Sequence, residues 1–493
     1  MAPGSGVTPD GVRILRSISF VALVGCSSGS TRSEPGSLER ARQPDVLVVV
    51  LDTVRADMLS TYGHHHPTSP QLDAVAAAGV TFEDATAPSS WTWPSHASLF
   101  TGLSPWEHGA HASVKDAGVG LAGGHWGLLQ MRTDIPTLAE QFAGEGYRTV
   151  SLASNRFLDP KLGLTRGFEQ AEVMHDGRLA ERVRAVLADD DPRPLLLFVN
   201  ILVAHAPWEA YPAPWSKRYS ERLSDPEAAP AWAAGYLMDE PPGLDFYRLR
   251  DGAKRGGFRQ LIAGDIVIPP SDMVIIEDLY TAGVNAADFI MNRILSQWMT
   301  RSPSGIVAVT SDHGEYLGEH GLWEHGKTVF TEVVHVPLVI AAPGRLPSGT
   351  RVDTPVQMQD LHDTLLALAG IAGEHPDSLI GVASGAPRPG PIQAKAWASR
   401  PWMESMGGLF SHDWSLYREA DLAVVFSSGG ERFLYDLAAD PSMTTDLAAS
   451  KPEVLDDLWS RAQRAFPDAA TSASSAEMSP DMVEELKALG YLE

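Results

Sequence analysis

Asp52 follows the apolar run Val46 to Leu51, and Asp312 with His313 follows the run Ile306 to Thr310. Runs of this length and character read as strands, and open α/β sheets gather ligands where their strands end. Two carboxylates and an imidazole brought together there suit one divalent cation, Mn²⁺, Mg²⁺, Zn²⁺ or Ca²⁺. An aspartate after a strand is by itself a cap or turn residue; the two motifs together point to a metal. Thr92 lies in Ser90-Trp91-Thr92-Trp93-Pro94-Ser95-His96, where Pro94 belongs to the first turn of a short helix and Gly102 to its end. A hydroxyl at that position meets unpaired backbone N–H groups and the positive end of the helix dipole, which together hold anions. Threonine is a weak nucleophile until metal coordination lowers its pKa, and without the acidic motifs Thr92 reads as an ordinary N-cap.

The elements that must position these residues are legible from periodicity. Besides the two strands already named, Thr149 to Leu152, Leu195 to Val199 and Pro337 to Ile340 read as strands buried on both faces, as in a parallel sheet. Helical spacing covers the stretch from Ser69-Pro70 to Gly79, then roughly residues 136–145, 178–188, 279–299 and 357–370. Alternating strands and helices imply an α/β fold with helices on both faces of the sheet. Residues 209–262, rich in Pro, Trp and Arg and without period, read as an insertion near the substrate mouth. Pro387, Pro389 and Pro391 mark a boundary, so the expected organisation is a catalytic domain over 44–390 and a small C-terminal subdomain over 391–493. Within the latter, Leu416 to Phe426 and Arg432 to Leu437 suggest a mixed α+β unit.

A chain of 493 residues with formal net charge -24 can bury a deep core, and it lacks the basic face that a nucleic-acid partner requires. Its single cysteine is Cys26. Arg13 and Arg16, the apolar run Ile18 to Val24, and Leu23-Val24-Gly25-Cys26 form the order of a bacterial secretion signal ending in a lipobox. The apolar run is too short to span a bilayer, so residues 1–26 are expected to be a signal, with Cys26 lipidated and 27–43 a flexible tether. That makes the mature chain a lipoprotein of the periplasm or cell envelope, held to the membrane by its lipid alone. No cysteine is then left for a disulfide, a zinc site or thiol catalysis.

Taken together, Leu51-Asp52-Thr53-Val54-Arg55-Ala56-Asp57, Thr92-Trp93-Pro94-Ser95-His96, Ser311-Asp312-His313-Gly314-Glu315 and Gly318-Glu319-His320-Gly321 resemble the successive motifs of the sulfatase family, in the family's order. Tyr435-Asp436-Leu437-Ala438-Ala439-Asp440-Pro441 and Leu489-Gly490-Tyr491 continue the likeness, which spans residues 44–493. It implies an alkaline-phosphatase-like sandwich, a mostly parallel central sheet flanked by helices, with a small C-terminal α+β subdomain. By the same resemblance Asp52, Asp312, His313 and the Thr92 oxygen are metal ligands. Thr53 stands where many members have a second aspartate, which counts against it as a ligand. His205, in Ala204-His205-Ala206-Pro207, resembles the histidine that protonates a leaving group or holds the transferred group. Lys327, in His325-Gly326-Lys327-Thr328, resembles the lysine that neutralises charge on that group. His96 takes the place of an arginine beside the nucleophile, and His108 matches a histidine that supports it.

Two departures shape the expected chemistry. Conventional sulfatases mature a Cys or Ser at position 92 to formylglycine, which threonine cannot become. A lysine-bearing stretch of the family is replaced by Ala153-Ser154-Asn155-Arg156, leaving Asn155 to donate a hydrogen bond to the transferred group. Threonine nucleophiles resemble those of enzymes that attack phosphorus, so phosphoesters and phosphodiesters are favoured over sulfate esters, with either His205 or His325 as the acid. Ile201 stands where two-metal phosphodiesterases have an aspartate, so one metal is expected. The substrate is expected to be a small anionic ester or a sulfated or phosphorylated glycan or lipid headgroup. Two other classes remain open: a transferase moving a phospho-headgroup onto an envelope glycan or lipid, and a non-catalytic lipoprotein that binds anionic glycan. His64-His65-His66 reads as a polar surface turn, because consecutive side chains cannot all face one site.

Overall fold

A computed structural model of the protein describes residues 43–113, 127–206, 208, 211, 213–215, 261, 264, 266–398 and 411–466. The secretion signal, Cys26, nearly all of the tether, most of the 209–262 insertion and the terminal Leu489-Gly490-Tyr491 motif lie outside the described residues. In chain order the principal elements are β1 (Val46–Leu51), α1 (Pro70–Ala78), β2 (Val80–Thr86), α2 (Thr92–Thr101), α3 (Leu138–Gly144), β3 (Arg148–Ala153), β4 (Gln170–Val173), α4 (Asp176–Leu187) and β5 (Leu195–Ile201). There follow α5 (Met273–Arg301), β6 (Ile306–Thr310), β7 (His335–Ala341), β8 (Thr350–Val352), β9 (Val356–Gln357) and α6 (Asp360–Ala369). The last five are β10 (Ile392–Ala396), β11 (Trp414–Glu419), β12 (Leu422–Ser427), β13 (Arg432–Asp436) and α7 (Pro452–Ala465).

The central sheet is nine-stranded, in the order β8-β2-β7-β6-β1-β5-β3-β4, with β9 also paired to β2. β1 runs parallel to both β5 and β6, and β3 runs parallel to β5 and β4. β7 runs antiparallel to both of its neighbours, within a sheet that is otherwise mostly parallel as expected, whereas the run Pro337 to Ile340 reads as a strand of the parallel kind. An apolar run reveals burial on both faces but not strand direction, so nothing in Pro337 to Ile340 could have announced the reversal. The alternation of β1 sorts its side chains between two cores. Val46, Val48 and Val50 pack with Trp93 and Phe100 of α2, Phe142 of α3 and Leu365 of α6. Leu47, Val49 and Leu51 pack with Val75 of α1, Val183 of α4 and Trp298 of α5. The result is a sheet clothed by helices on both faces, the fold the sequence implied.

Helix ends follow local chemistry. Thr137 caps α3 in a box with Glu140, and Pro70 opens α1. Gly79 ends α1 against β7 so closely that a Cβ there would meet the Ile340 carbonyl oxygen at 2.2 Å. The C-terminal strands form a separate antiparallel sheet, β10-β11-β12-β13, in which the run Leu416 to Phe426 is the hairpin of β11 and β12. α7 covers one face of it through Leu455 and Leu458, packed on Tyr417, Val424 and Leu434.

The N-terminus of α1 is capped from a distance. Asp288, on α5, accepts the N–H groups of Gln71 and Leu72, both at 3.1 Å. Burial pushes its carboxyl up to about 7, against the ordinary 3.8. The folded state therefore binds the proton more tightly than the unfolded chain. Its contribution to stability is complete below the ordinary carboxyl range and is lost as pH rises through about 7. Denaturation midpoints across pH 5.5 to 8 should show the wild type losing stability relative to Asp288→Asn as pH increases, by a few kcal/mol at most. A constant difference between the two would show that Asp288 does not titrate in this range.

Candidate active site

The site lies at the carboxyl ends of neighbouring strands. Asp52 follows β1, Asn200 is near the end of β5, Asn155 is two residues past β3, and Asp312 and His313 follow β6. Asp52 and Asp312 are buried, as are Thr92, His96 and His313. One ligand atom each from Asp52, Asp312 and His313 lies within 4.8 Å of the others. These are the residues that the strand-end argument paired.

The protonation pattern suits a cation. His313 Nδ1–H donates to the Gly314 carbonyl at 2.9 Å, so Nε2 carries the lone pair, 3.2 Å from Thr92 Oγ1 and 3.4 Å from Asp312 Oδ2. Asp52 Oδ2 accepts the side-chain amides of Asn155 at 2.9 Å and Asn200 at 2.8 Å, while its Oδ1 has no hydrogen-bond partner. Asp312 Oδ1 accepts the N–H groups of Thr53 at 3.2 Å and His313 at 3.1 Å, while its Oδ2 has none. Burial first, and then the nearby Asp312, raise the pKa of Asp52. Two buried carboxylate oxygens without donors, next to an imidazole lone pair, are costly unless a positive charge sits among them. The residues present therefore fit a divalent ion.

Thr53 is not in this donor set. Its hydroxyl donates to the Asp52 carbonyl at 2.7 Å, and its backbone adopts φ 59°. That left-handed turn is what delivers the Thr53 N–H to Asp312. The Tyr280 hydroxyl holds the turn from α5, donating to the Thr53 carbonyl at 2.7 Å and accepting the Arg55 N–H at 3.0 Å.

Thr92 is the first residue of α2, with Trp91 at the N-cap, so the reading of Thr92 as a simple cap is set aside. Every residue of α2 is buried, and Gly102 closes it with φ 72°. The Thr92 hydroxyl lies 3.3 Å from the Asn155 amide nitrogen as well as 3.2 Å from His313. Asn155 thus spans Thr92 and Asp52. His96 Nδ1–H donates back to the Thr92 carbonyl at 3.0 Å, and burial pushes its imidazole down to about 4. The position occupied by arginine in the family thus holds a neutral ring in this chain. His108 accepts the Ala110 N–H at Nδ1 and donates from Nε2 to Ser98 Oγ at 2.9 Å. It braces α2 nearly two helical turns past Thr92, at Ser98, and makes no hydrogen bond to Thr92.

A second group of histidines stands beside His313. The His325 ring lies 4.3 Å from that of His313 and 4.9 Å from that of His205. Glu315 joins them: Oε1 accepts His325 Nδ1–H at 2.9 Å, and Oε2 accepts the Ala206 N–H at 3.3 Å. Glu315 stands in Ser311-Asp312-His313-Gly314-Glu315, and local sequence marks neither it nor Tyr280 as a site residue. A lone Asn in Leu195-Leu196-Leu197-Phe198-Val199-Asn200-Ile201 was the one available signal, a polar residue in a fully buried strand. Burial lowers His325 well below the ordinary histidine range, helped by His313 and His205. Burial also pushes His205 down, but the Glu315 and Asp52 carboxylates outweigh it and raise its pKa. Lys327 is buried and pairs with Glu324 at 2.7 Å.

Asn200 should matter to ion binding without touching the ion. Asn200→Ala frees Asp52 Oδ2 to rotate, and isothermal titration of the stripped protein should show divalent affinity about 10- to 100-fold weaker. An unchanged affinity would mean that Asn155 alone fixes the carboxylate.

Comparison with known proteins places this geometry. The profile of the family described as Sulfatase matches residues 44–371. A sulfatase of Formosa agariphila is 23% identical over 401 residues, covering 71% of this chain and 73% of that protein. Among solved structures, one determined in complex with its substrate D-glucosamine-2-N,6-O-disulfate aligns with a TM-score of 0.63 at 17% identity, over 86% of this chain and 98% of its own. The phosphonate monoester hydrolase of Agrobacterium radiobacter aligns with a TM-score of 0.59 at 19% identity, over 88% and 100%. A family match that runs from the first strand through α6, and so takes in Asp52, Thr92, Asp312 and His313, decides the assignment: the chain belongs to the sulfatase family of the alkaline phosphatase superfamily and is an ester-bond hydrolase.

Proposed function

We propose that the protein is a metal-dependent hydrolase of phosphate-type esters, phosphodiesters among them, in which Thr92 is the nucleophile. One observation carries the reading. The Thr92 hydroxyl opens a buried helix 3.2 Å from His313 Nε2, beside the two carboxylate oxygens that lack donors. Asp52, Asp312, His313 and the Thr92 oxygen would hold the ion. A divalent ion there supplies Lewis-acid polarisation of the ester and lowers the pKa of the hydroxyl. Phosphorus is favoured over sulfur because threonine cannot supply the aldehyde hydrate that conventional sulfatases use. The phosphonate monoester hydrolase among the structural neighbours supports a fold able to take a phosphorus ester.

The chain's own residues supply the remaining steps. Thr92 Oγ attacks phosphorus in line, its proton passing to solvent water, and the bond from phosphorus to the leaving oxygen breaks. Asn155 and the N–H groups at the start of α2 face the developing charge. Lys327, three residues from Glu324, adds positive charge on the side of His325. Of the two candidate acids, His205 carries the proton, because the neighbouring carboxylates raise its pKa while His325 stays neutral. The leaving alkoxide takes that proton. His205, now neutral, takes one from the water that next attacks phosphorus, and the bond to Thr92 Oγ breaks. The phosphate product is released as Thr92 regains a proton from solvent. The proposal includes a catalytic domain over 44–390, a C-terminal subdomain over 391–493, and a lipid anchor on Cys26 placing the enzyme in the periplasm or cell envelope.

Intact-protein and peptide mass spectrometry after brief exposure of the metal-loaded enzyme to a phosphodiester and to a sulfate ester tests the nucleophile. A phosphoryl-type adduct on Thr92 is expected, and Thr92→Ala should lose the adduct and lower kcat by roughly 10⁴-fold or more. A sulfated Thr92 would move the enzyme to sulfate esters, and transfer to an added alcohol exceeding hydrolysis would make it a transferase. No adduct and no turnover with bound metal would leave an anionic-glycan-binding protein. The acid is tested separately by leaving-group dependence. His205→Ala should lower kcat by about 10²- to 10⁴-fold for an unactivated alkyl ester and far less for a 4-nitrophenyl ester. Glu315→Gln should shift the two substrates in the same unequal way and move the fall in kcat with rising pH to lower pH. Equal losses on both substrates would assign these residues to folding alone.

A further inference from the structure

We propose a second metal site, for a transition-metal ion such as Zn²⁺, formed by His64, His65 and Glu277 and sharing no ligand with the catalytic centre. One ligand atom from each of these residues lies within 4.8 Å of the others. Among the described residues, this trio and the Asp52, Asp312 and His313 group are the two sets of at least three His, Cys, Asp or Glu side chains that converge in this way. The His64 side chain is 6% exposed and its Nε2 is 3.5 Å from Glu277 Oε1. The His64 and His65 rings stand 4.4 Å apart, tilted by 40°.

The third histidine explains why two of the run can face one point. His66 stacks on Trp215 with ring centroids 4.7 Å apart and planes within 5°, and its Nε2 is 3.4 Å from Asp278 Oδ1. Trp215 is itself held to α5 by Nε1–H donation to Thr281 Oγ1 at 3.2 Å. His66 is thus directed to Trp215 and Asp278, and the turn presents His64 and His65 toward Glu277.

Two imidazoles and one carboxylate suit Zn²⁺, Co²⁺, Ni²⁺ or Cu²⁺ better than Mg²⁺ or Ca²⁺, which prefer all-oxygen shells. Glu277 is 40% exposed, so water has access to complete a tetrahedral set. In the structure His64 Nδ1 accepts the His66 N–H at 3.2 Å, which leaves the ring proton on Nε2. Metal uptake places the ion at Nε2 and the ring proton at Nδ1, exchanging that long backbone contact for a coordinate bond. The ion would clip the turn after β1 to α5, within a helical turn of Tyr280, which holds the Thr53 turn.

The test uses the full chain made without a polyhistidine tag, stripped with chelator and titrated with Zn²⁺. In an Asp52→Asn/Asp312→Asn background, elemental analysis should find about one Zn²⁺ per chain, and Zn²⁺ should raise the melting temperature. Adding His65→Ala or Glu277→Gln should weaken that binding at least about tenfold, the scale that even a residue behind a ligand produces. His66→Ala, which spares the ligands but loosens the turn that presents them, should weaken binding less than either ligand substitution; a loss as large as theirs would count against the assigned ligands. Absence of Zn²⁺ from the double-Asn background, or affinity indifferent to His65 and Glu277, overturns the proposal. Neither result bears on the Thr92 chemistry, which the adduct experiment reads independently.

Discussion

Asp52 and Asp312 are two buried carboxylates of like charge set beside each other, and the carboxyl end of the sheet is organised around that repulsion. Each is satisfied on one oxygen only. Asn155 and Asn200 donate to Asp52, and two backbone N–H groups donate to Asp312, one of them carried there by the left-handed turn at Thr53. The oxygens without donors remain beside His313 Nε2. Parallel β1, β5 and β6 make this possible because their carboxyl ends finish side by side, which brings residues far apart in sequence within reach. Replacing either carboxylate with an apolar residue would remove the repulsion and also the charge that defines the site.

The histidines show how one burial can accompany opposite shifts in pKa. His205, His313 and His325 are close enough for their rings to interact, and all are desolvated. Glu315 sorts His205 from His325. It accepts His325 Nδ1–H and, by its charge, raises the pKa of His205. Groups whose environments push their pKa values apart are suited to different jobs at one pH. His96, pushed down to about 4 by burial, shows the same desolvation without a hydrogen-bonded carboxylate of its own.

Much of this was legible in the sequence because it rested on short-range chemistry. The apolar runs named β1 and β6 to the residue, and the motifs that follow them named Asp52, Asp312 and His313. Pro94 and Gly102 marked the helix that begins at Thr92. β2 was missed because Val80-Thr81-Phe82-Glu83-Asp84-Ala85-Thr86 mixes charge into a strand and starts directly after α1. The direction of β7 depends on pairing partners that no local pattern records. Asn200, Tyr280 and Glu315 were illegible as site residues for a related reason. Each acts by holding another group, and a holding role is visible only once the held atom is in place. The same holds for His64 and His65, whose convergence depends on Trp215 and α5.

All ten residues of α2 are buried, and the helix is wedged between the sheet, α3 and α6. Its opening threonine is therefore located by the hydrophobic core itself, with Trp93 and Phe100 as much a part of its placement as any polar neighbour. Such an arrangement divides the protein into parts that can and cannot drift over evolutionary time. Loops at the strand ends can be lengthened, exchanged or recharged without disturbing where the Thr92 hydroxyl stands. A change of one methylene deep in the core beneath α2, by contrast, would displace that hydroxyl long before it was felt as unfolding.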